Sequence, residues 1–355
     1  MKIPDNTKIQ NTDLKVKDLV ASLYFYSELM GFKIIAQTKN SAQLSANGSL
    51  PYILQLTEDK NAIHKPNGTT GLFHVAIRLP NRAELARVFL RLFSNKIKFQ
   101  GFSDHLVSEA IYLQDPDENG LELYADRPRE EWPYNMGQVE MATLPLNLNT
   151  ITDELKDRHE WSGIHPETDI GHIHLCVSDI KKTQNFYSFI LGMNVTNSAY
   201  NGAMFFSAGG YHHHIGTNIW SSKNSSPAPE NSVGLQSYTV KVPDKEYIEL
   251  ILKRAEESGL LLNPFDGKKA EIKDFDGNKI FLVLILMSAC SGCLRPPFGG
   301  TPAMVPSIIL SKACCTPSPE TSRVIDTLSD LREILSISSI KTIPRSARST
   351  LKSAA

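Results

Sequence analysis

Ser103-Asp104-His105-Leu106-Val107-Ser108-Glu109-Ala110-Ile111-Tyr112-Leu113-Gln114-Asp115-Pro116-Asp117-Glu118-Asn119-Gly120-Leu121-Glu122 is the stretch on which the reading of this chain turns. Glu109 to Gln114 predicts a strand, Asp115 to Gly120 is turn chemistry, and Leu121 to Ala125 predicts a second strand. Alternation along that second strand sets Glu122 and Tyr124 on the face opposite Leu121 and Leu123. A carboxylate on an inward face costs on the order of several kcal/mol unless a positive charge meets it. A metal ion would supply that charge; a solvated outer face would remove the need for it.

Working outward, the chain repeats itself. Val16-Lys17-Asp18-Leu19 leads to Phe25-Tyr26-Ser27 and Gly31, and Val177-Ser178-Asp179-Ile180 leads to Phe186-Tyr187-Ser188 and Gly192, at a constant offset of 161 residues. Each reads as a strand, an amphipathic helix with its aromatic pair in the core, and a glycine that ends the helix. Gly71-Leu72 through Leu79-Pro80 likewise matches Gly234-Leu235 through Val242-Pro243, and Asp115-Pro116-Asp117-Glu118-Asn119 matches Asp274-Phe275-Asp276-Gly277-Asn278. The prediction is an α+β chain of four strand-helix-strands (βαβββ) units, beginning near residues 11, 72, 171 and 234. One such unit cannot bury its apolar sheet face alone, so the units should pair into two open half-barrel clefts.

This divides the chain into a first domain at 8–126 (units one and two), a linker at 127–169, and a second domain at 170–285 (units three and four). The linker carries Pro128, Pro133, Pro145 and Pro166, with one helix-like patch around Asp153 to Asp157. Residues 286–355 differ in kind. Ser, Thr and Pro are frequent there, Leu328 to Ile337 could form a short helix, and four of the five cysteines (Cys290, Cys293, Cys314, Cys315) lie in it. Adjacent cysteines suit a four-sulfur zinc site poorly, so a low-complexity, disordered tail is expected.

A net charge of −1 with no sustained basic run argues against a general grip on nucleic acid or an anionic membrane. The first residues, Met-Lys-Ile-Pro-Asp-Asn-Thr-Lys, hold no apolar secretory signal, and the apolar run Ile280 to Met287 is too short to span a bilayer. A cytoplasmic location is the expectation. Only Cys176 precedes residue 290, so the main body holds no disulfide framework. Sheet edges and paired units make a homo-oligomer plausible.

The four repeated units resemble the vicinal oxygen chelate superfamily, which includes glyoxalases, bleomycin resistance proteins and dioxygenases. The segment His105 to Glu122 resembles the signature of type I extradiol ring-cleaving dioxygenases, most like the bacterial catechol 2,3-dioxygenases. The resemblance covers about residues 8 to 286, with Ser103 and Glu118 departing from the usual turn residues. It implies Fe(II), or Mn(II), held by two histidines and one glutamate, which leaves open positions for a bidentate aromatic diol and O2. Glu122 matches the carboxylate ligand and His74 one histidine ligand; Tyr112 and His105 match residues that contact substrate. The second histidine falls on His172, aligned with His74 in the repeat, with His174 as the alternative on the same strand face. In Tyr211-His212-His213-His214-Ile215, His214 best matches the family's acid/base histidine, and strand alternation would put His212 on its face and His213 on the other.

Units two and three thus hold every expected piece, whereas Ser237 and Phe281 stand in unit four where His74 and Glu122 would repeat. The site is therefore expected between units two and three, with a metal-free cleft between one and four. The function implied is extradiol cleavage of a catechol to a 2-hydroxymuconic semialdehyde-type product. A metal-dependent, glyoxalase-like isomerase and a non-catalytic binder of an aromatic compound are the alternatives on this scaffold.

Overall fold

A computed structural model describes residues 2–155 and 161–285. The C-terminal residues 286–355, with their four cysteines and the expected Leu328 to Ile337 helix, lie outside the described residues, as do 156–160. The helix-like patch of the linker is observed somewhat earlier, as a helix at Leu148–Thr152 with Asp153 at its C-terminal end.

All four units have the expected strand-helix-three-strand order. Unit one runs Lys8–Val16, a helix Leu19–Leu23 continuing as a π-helical turn Tyr24–Leu29, then Lys33–Gln37, Ser41–Ser45 and Leu54–Glu58. Unit three repeats it as Asp169–Cys176, Ile180–Gln184 with the π-helical turn Asn185–Ile190, Asn194–Asn197, Ala203–Ser207 and Ile215–Asn218. Units two and four have longer helices, Arg82–Ser94 and Lys245–Glu257, between leading strands Gly71–Leu79 and Gly234–Val242 and closing strands Gly120–Asp126 and Lys279–Leu284.

The repeated residues explain the repeated elements. Asp18, Asn81, Asp179 and Asp244 each cap a helix by accepting backbone N–H bonds with the side chain, which satisfies donors the first turn would otherwise leave unpaired. Gly31 and Gly192 follow their helices at φ +81° and +78°, where a side chain would be strained. Phe25, Tyr26, Phe186 and Tyr187 are all buried, as their helical spacing predicted.

The sheets form across the linker. Units two and three share a nine-stranded sheet, joined where Gly71–Leu79 runs antiparallel to Asp169–Cys176. Units one and four share an eight-stranded sheet, joined where Lys8–Val16 runs antiparallel to Gly234–Val242. This is the pairing that the distribution of histidines called for. Among the described residues, no helix is long and apolar enough to cross a membrane.

Candidate metal centre and its cavity

The sheet register builds the centre. Ala76, in the middle of the unit two leading strand, lies opposite His172 on one side and Glu122 on the other. Residues in register across neighbouring strands project from the same face about 5 Å apart, and His74, two residues before Ala76, shares that face. Ala76 carries only a methyl group, so the three longer side chains can close over it.

They meet tip to tip. His74 Nε2 is 2.9 Å and His172 Nε2 3.2 Å from Glu122 Oε2, and the two ring nitrogens are 3.3 Å apart. All three residues are buried, and their donor atoms lie within 4.8 Å of one another. Glu122 thus faces inward, and the solvated alternative does not apply. The matching register in the other sheet sets Thr239 between Asn11 and Phe281, which take the positions of His172 and Glu122, while Ser237 takes that of His74. No second set of this kind occurs among the described residues.

Electrostatics fit a cation there. Burial acts to raise the Glu122 carboxyl, but the charges and hydrogen bonds of His172 and His74 outweigh it and hold the group well below the usual carboxylate range. Burial pushes His172 down to about 4 against the pull of Glu122, so its imidazole is neutral near pH 7. Two imidazoles and one carboxylate, with their donor atoms facing one another, form a donor set suited to a divalent transition metal. Alternation left His174 as a possible ligand. Its Nε2 is instead 3.1 Å from Asn218 Nδ2, and its ring packs against Phe73.

The centre opens onto a cavity of about 630 Å³. Its wall includes His105, Tyr112, Tyr200, Phe205, His213 and Trp220. His105 Nδ1 lies 2.6 Å from the Ala142 carbonyl, an interaction that requires an N–H there. The Tyr112 hydroxyl is hydrogen-bonded to His105 Nε2 at 2.6 Å and also to the Glu122 carboxylate. Burial, and secondly the charge of Glu122, hold the Tyr112 hydroxyl well above the usual phenol range.

The histidine run folds otherwise than alternation predicted. Residues 211–214 bend ahead of the strand Ile215–Asn218, so the period-two rule does not extend to them. His214 turns away from the cavity: its Nδ1 accepts the Ala208 N–H at 3.3 Å and its ring packs on Tyr211. His213 lines the cavity in its place, its ring centroid 4.0 Å from that of His172. The aromatic wall residues Phe205 and Trp220, and the contact between Asp126 and His212, were absent from the sequence reading because no local spacing marks them.

Comparisons with known proteins place the chain in a family. The family model described as the Glyoxalase/Bleomycin resistance protein/Dioxygenase superfamily matches residues 8–123 and 169–281. A catechol-2,3-dioxygenase of Bacillus subtilis (strain 168) is 42% identical over 260 residues, which cover 72% of this chain and 90% of the relative. Among solved structures, a Bacillus subtilis subsp. subtilis str. 168 protein assigned as a dioxygenase aligns with a TM-score of 0.56 at 12% identity, over 80% of this chain and 86% of its own. A mutant of glyoxalase I from Zea mays aligns with a TM-score of 0.51 at 16% identity, over 78% of this chain and 93% of its own. Those two likenesses speak to the fold alone. With more than half of its length matched, the chain belongs to the glyoxalase/bleomycin resistance/dioxygenase superfamily.

Proposed function

We propose that this protein is an extradiol dioxygenase that opens a catechol beside its diol, with Fe(II) held by His74, His172 and Glu122. The observation that carries this reading is the convergence of two imidazoles and one carboxylate on one face of a cavity lined by Tyr112, His105 and His213. The name of the Bacillus subtilis relative supports the same reaction class. Bound iron would supply Lewis acidity toward both diol oxygens and a one-electron route between diol and dioxygen; Mn(II) accepts the same donors.

The remaining work falls to the chain's own groups. Tyr112, held by His105, would orient a diol oxygen through its hydroxyl. His213, in place of His214, accepts a diol proton, because it is the member of the run that faces the cavity. Burial is the first cause holding His213 well below its ordinary value, so it enters the reaction neutral. Phe73, Phe205 and Trp220 give the aromatic ring flat apolar surfaces to pack against. In the net reaction one ring carbon–carbon bond breaks and both atoms of O2 enter the product, a 2-hydroxymuconic semialdehyde-type acid.

The test is anaerobic loading with Fe(II), then addition of catechol and air, with Glu122→Ala in parallel. Yellow ring-fission product from the wild type and none from the variant is the expected outcome. An iron-loaded protein that forms no such product from any catechol overturns the proposal in favour of an isomerase, and a chain that takes up no metal favours a binder.

A further inference from the structure

Behind His213 lies a chain of hydrogen bonds leading away from the cavity. Asp126, at the end of the unit two closing strand, is met by donors: Arg78 Nη1 at 3.3 Å, the Tyr211 hydroxyl at 3.0 Å, and His212 Nε2 at 2.9 Å. Arg78 is itself anchored on Asp169, so Asp126 is held within a fixed cluster of charges. His212 is fully buried, with Tyr124, Trp132 and Tyr211 packed against its ring. Its second nitrogen, Nδ1, is 2.8 Å from His213 Nδ1. His213 Nε2 makes no hydrogen bond to any described residue, and the ring it belongs to lines the cavity.

From Asp126 and His212 we infer that His213 is held in one tautomer, with the proton on Nδ1 and a bare Nε2 available to the cavity. The carboxylate can only accept, so His212 Nε2 carries a proton. In a neutral His212 ring that leaves Nδ1 as the acceptor and the facing His213 Nδ1 as the donor, whereas a cationic His212 would donate from Nδ1 and put the His213 proton on Nε2, the outcome that overturns the inference. A neutral imidazole has one N–H, which leaves His213 Nε2 as a lone pair. Asp126 and His212 are positioning residues: neither reaches the cavity, and each acts through the next ring. The proposal deepens the dioxygenase reading, on which the catalytic value of that lone pair rests, but the tautomer itself does not depend on the reaction.

The test uses the full-length chain, free of paramagnetic metal and carrying ¹⁵N-histidine. Long-range ¹H–¹⁵N correlation of the imidazoles separates Nδ1–H from Nε2–H forms, and His213 is assigned by the signals lost in His213→Gln. The wild type is expected to show His213 as Nδ1–H. His212→Phe, which keeps a ring among Tyr124 and Trp132 but removes the acceptor, should move His213 mainly to Nε2–H; Asp126→Asn, the milder change, should mix the two forms. An Nε2–H signal in the wild type, or an unchanged His213 in both folded variants, overturns the inference. In the iron-loaded protein kcat for catechol should fall about 10- to 100-fold in Asp126→Asn, with KM little changed. A tautomer that shifts without a fall in kcat leaves the positioning established and counts against the role given to His213 in ring cleavage.

Discussion

Tyr26 donates its hydroxyl to Asp115 Oδ2 at 2.9 Å, deep between the helix of unit one and the strand turn of unit two. Its repeat partner does the same: Tyr187 lies 3.0 Å from Asp274 Oδ2. The backbone N–H groups of Lys17 and Ser178 reach the same turns through Asp117 and Asp276. The two motifs most plainly repeated in the sequence are thus each other's partners in space. They tie unit one to two and unit three to four, while the sheets join two to three and one to four.

Tyr26→Phe leaves a buried acceptor short of one donor, and Tyr187→Phe does likewise. Each should cost about 1–3 kcal/mol, read as a lower urea midpoint with an unchanged m-value. The remaining donors to Asp115, from Asn119 and the Asp117 backbone, keep the loss from being larger.

Gly171→Ala should cost about 3 kcal/mol or more, the scale of a core overpacking that cannot relax. A Cβ at this position would stand 1.6 Å from the Tyr124 hydroxyl, which is locked to the Tyr211 hydroxyl at 2.7 Å. Thermal unfolding checks it, and metal affinity should fall with stability because His172 is the next residue.

Glu118 has φ +65°, in the same turn position that Gly277 occupies at +86° in unit four. Glu118→Gly removes the penalty of a side chain in the left-handed region and should raise stability by up to about 1 kcal/mol, less the extra entropy of a glycine in the unfolded chain. A denaturant midpoint that drops would show that Glu118 contributes through contacts instead.

Burial pushes His214 down to about 3. An unfolded imidazole takes up its proton near pH 6.5, roughly the unperturbed value, so between that pH and about 3 the unfolded state binds a proton the folded state refuses. The stability is fully present above pH 6.5 and is lost as pH falls through this window, at about 1.4 kcal/mol per pH unit for this one group. His214→Gln should reduce the acid slope of unfolding free energy by that amount; an identical slope in variant and wild type would show that His214 is protonated when folded.

Divalent metal should stabilise the chain by mass action, about 2.7 kcal/mol at a hundredfold excess over Kd. Glu122→Gln should abolish that gain while keeping the shape of the side chain. Titrating Fe(II) or Mn(II) against the unfolding temperature of both proteins checks it without reference to turnover.

Much of this was legible in the sequence because it rests on local rules. Asp18 and Asp179, Gly31 and Gly192, and the two Asp-x-Asp-x-Asn turns are caps, stops and turns that show at fixed spacing, and they gave four units. The placement of His74, His172 and Glu122 then selected units two and three as partners, since no other pairing brings the three onto one face. The histidine run misled because alternation holds only inside a strand, and residues 211–214 bend before one begins. The contact of Asp126 with His212 stayed hidden for another reason: 86 residues separate them, and only the folded sheet shows that they touch.

The centre draws His74 and His172 from positions 98 residues apart, on either side of the linker. On the ribosome this sets an order of events. A nascent chain that has presented only its first two units owns one histidine and one glutamate of the set of three. It must wait for unit three before the central strands can pair. On the proposed ligand set, metal capture would therefore report that both halves of the chain have met, and a polypeptide severed within the linker would regain the full set only when its two fragments found each other.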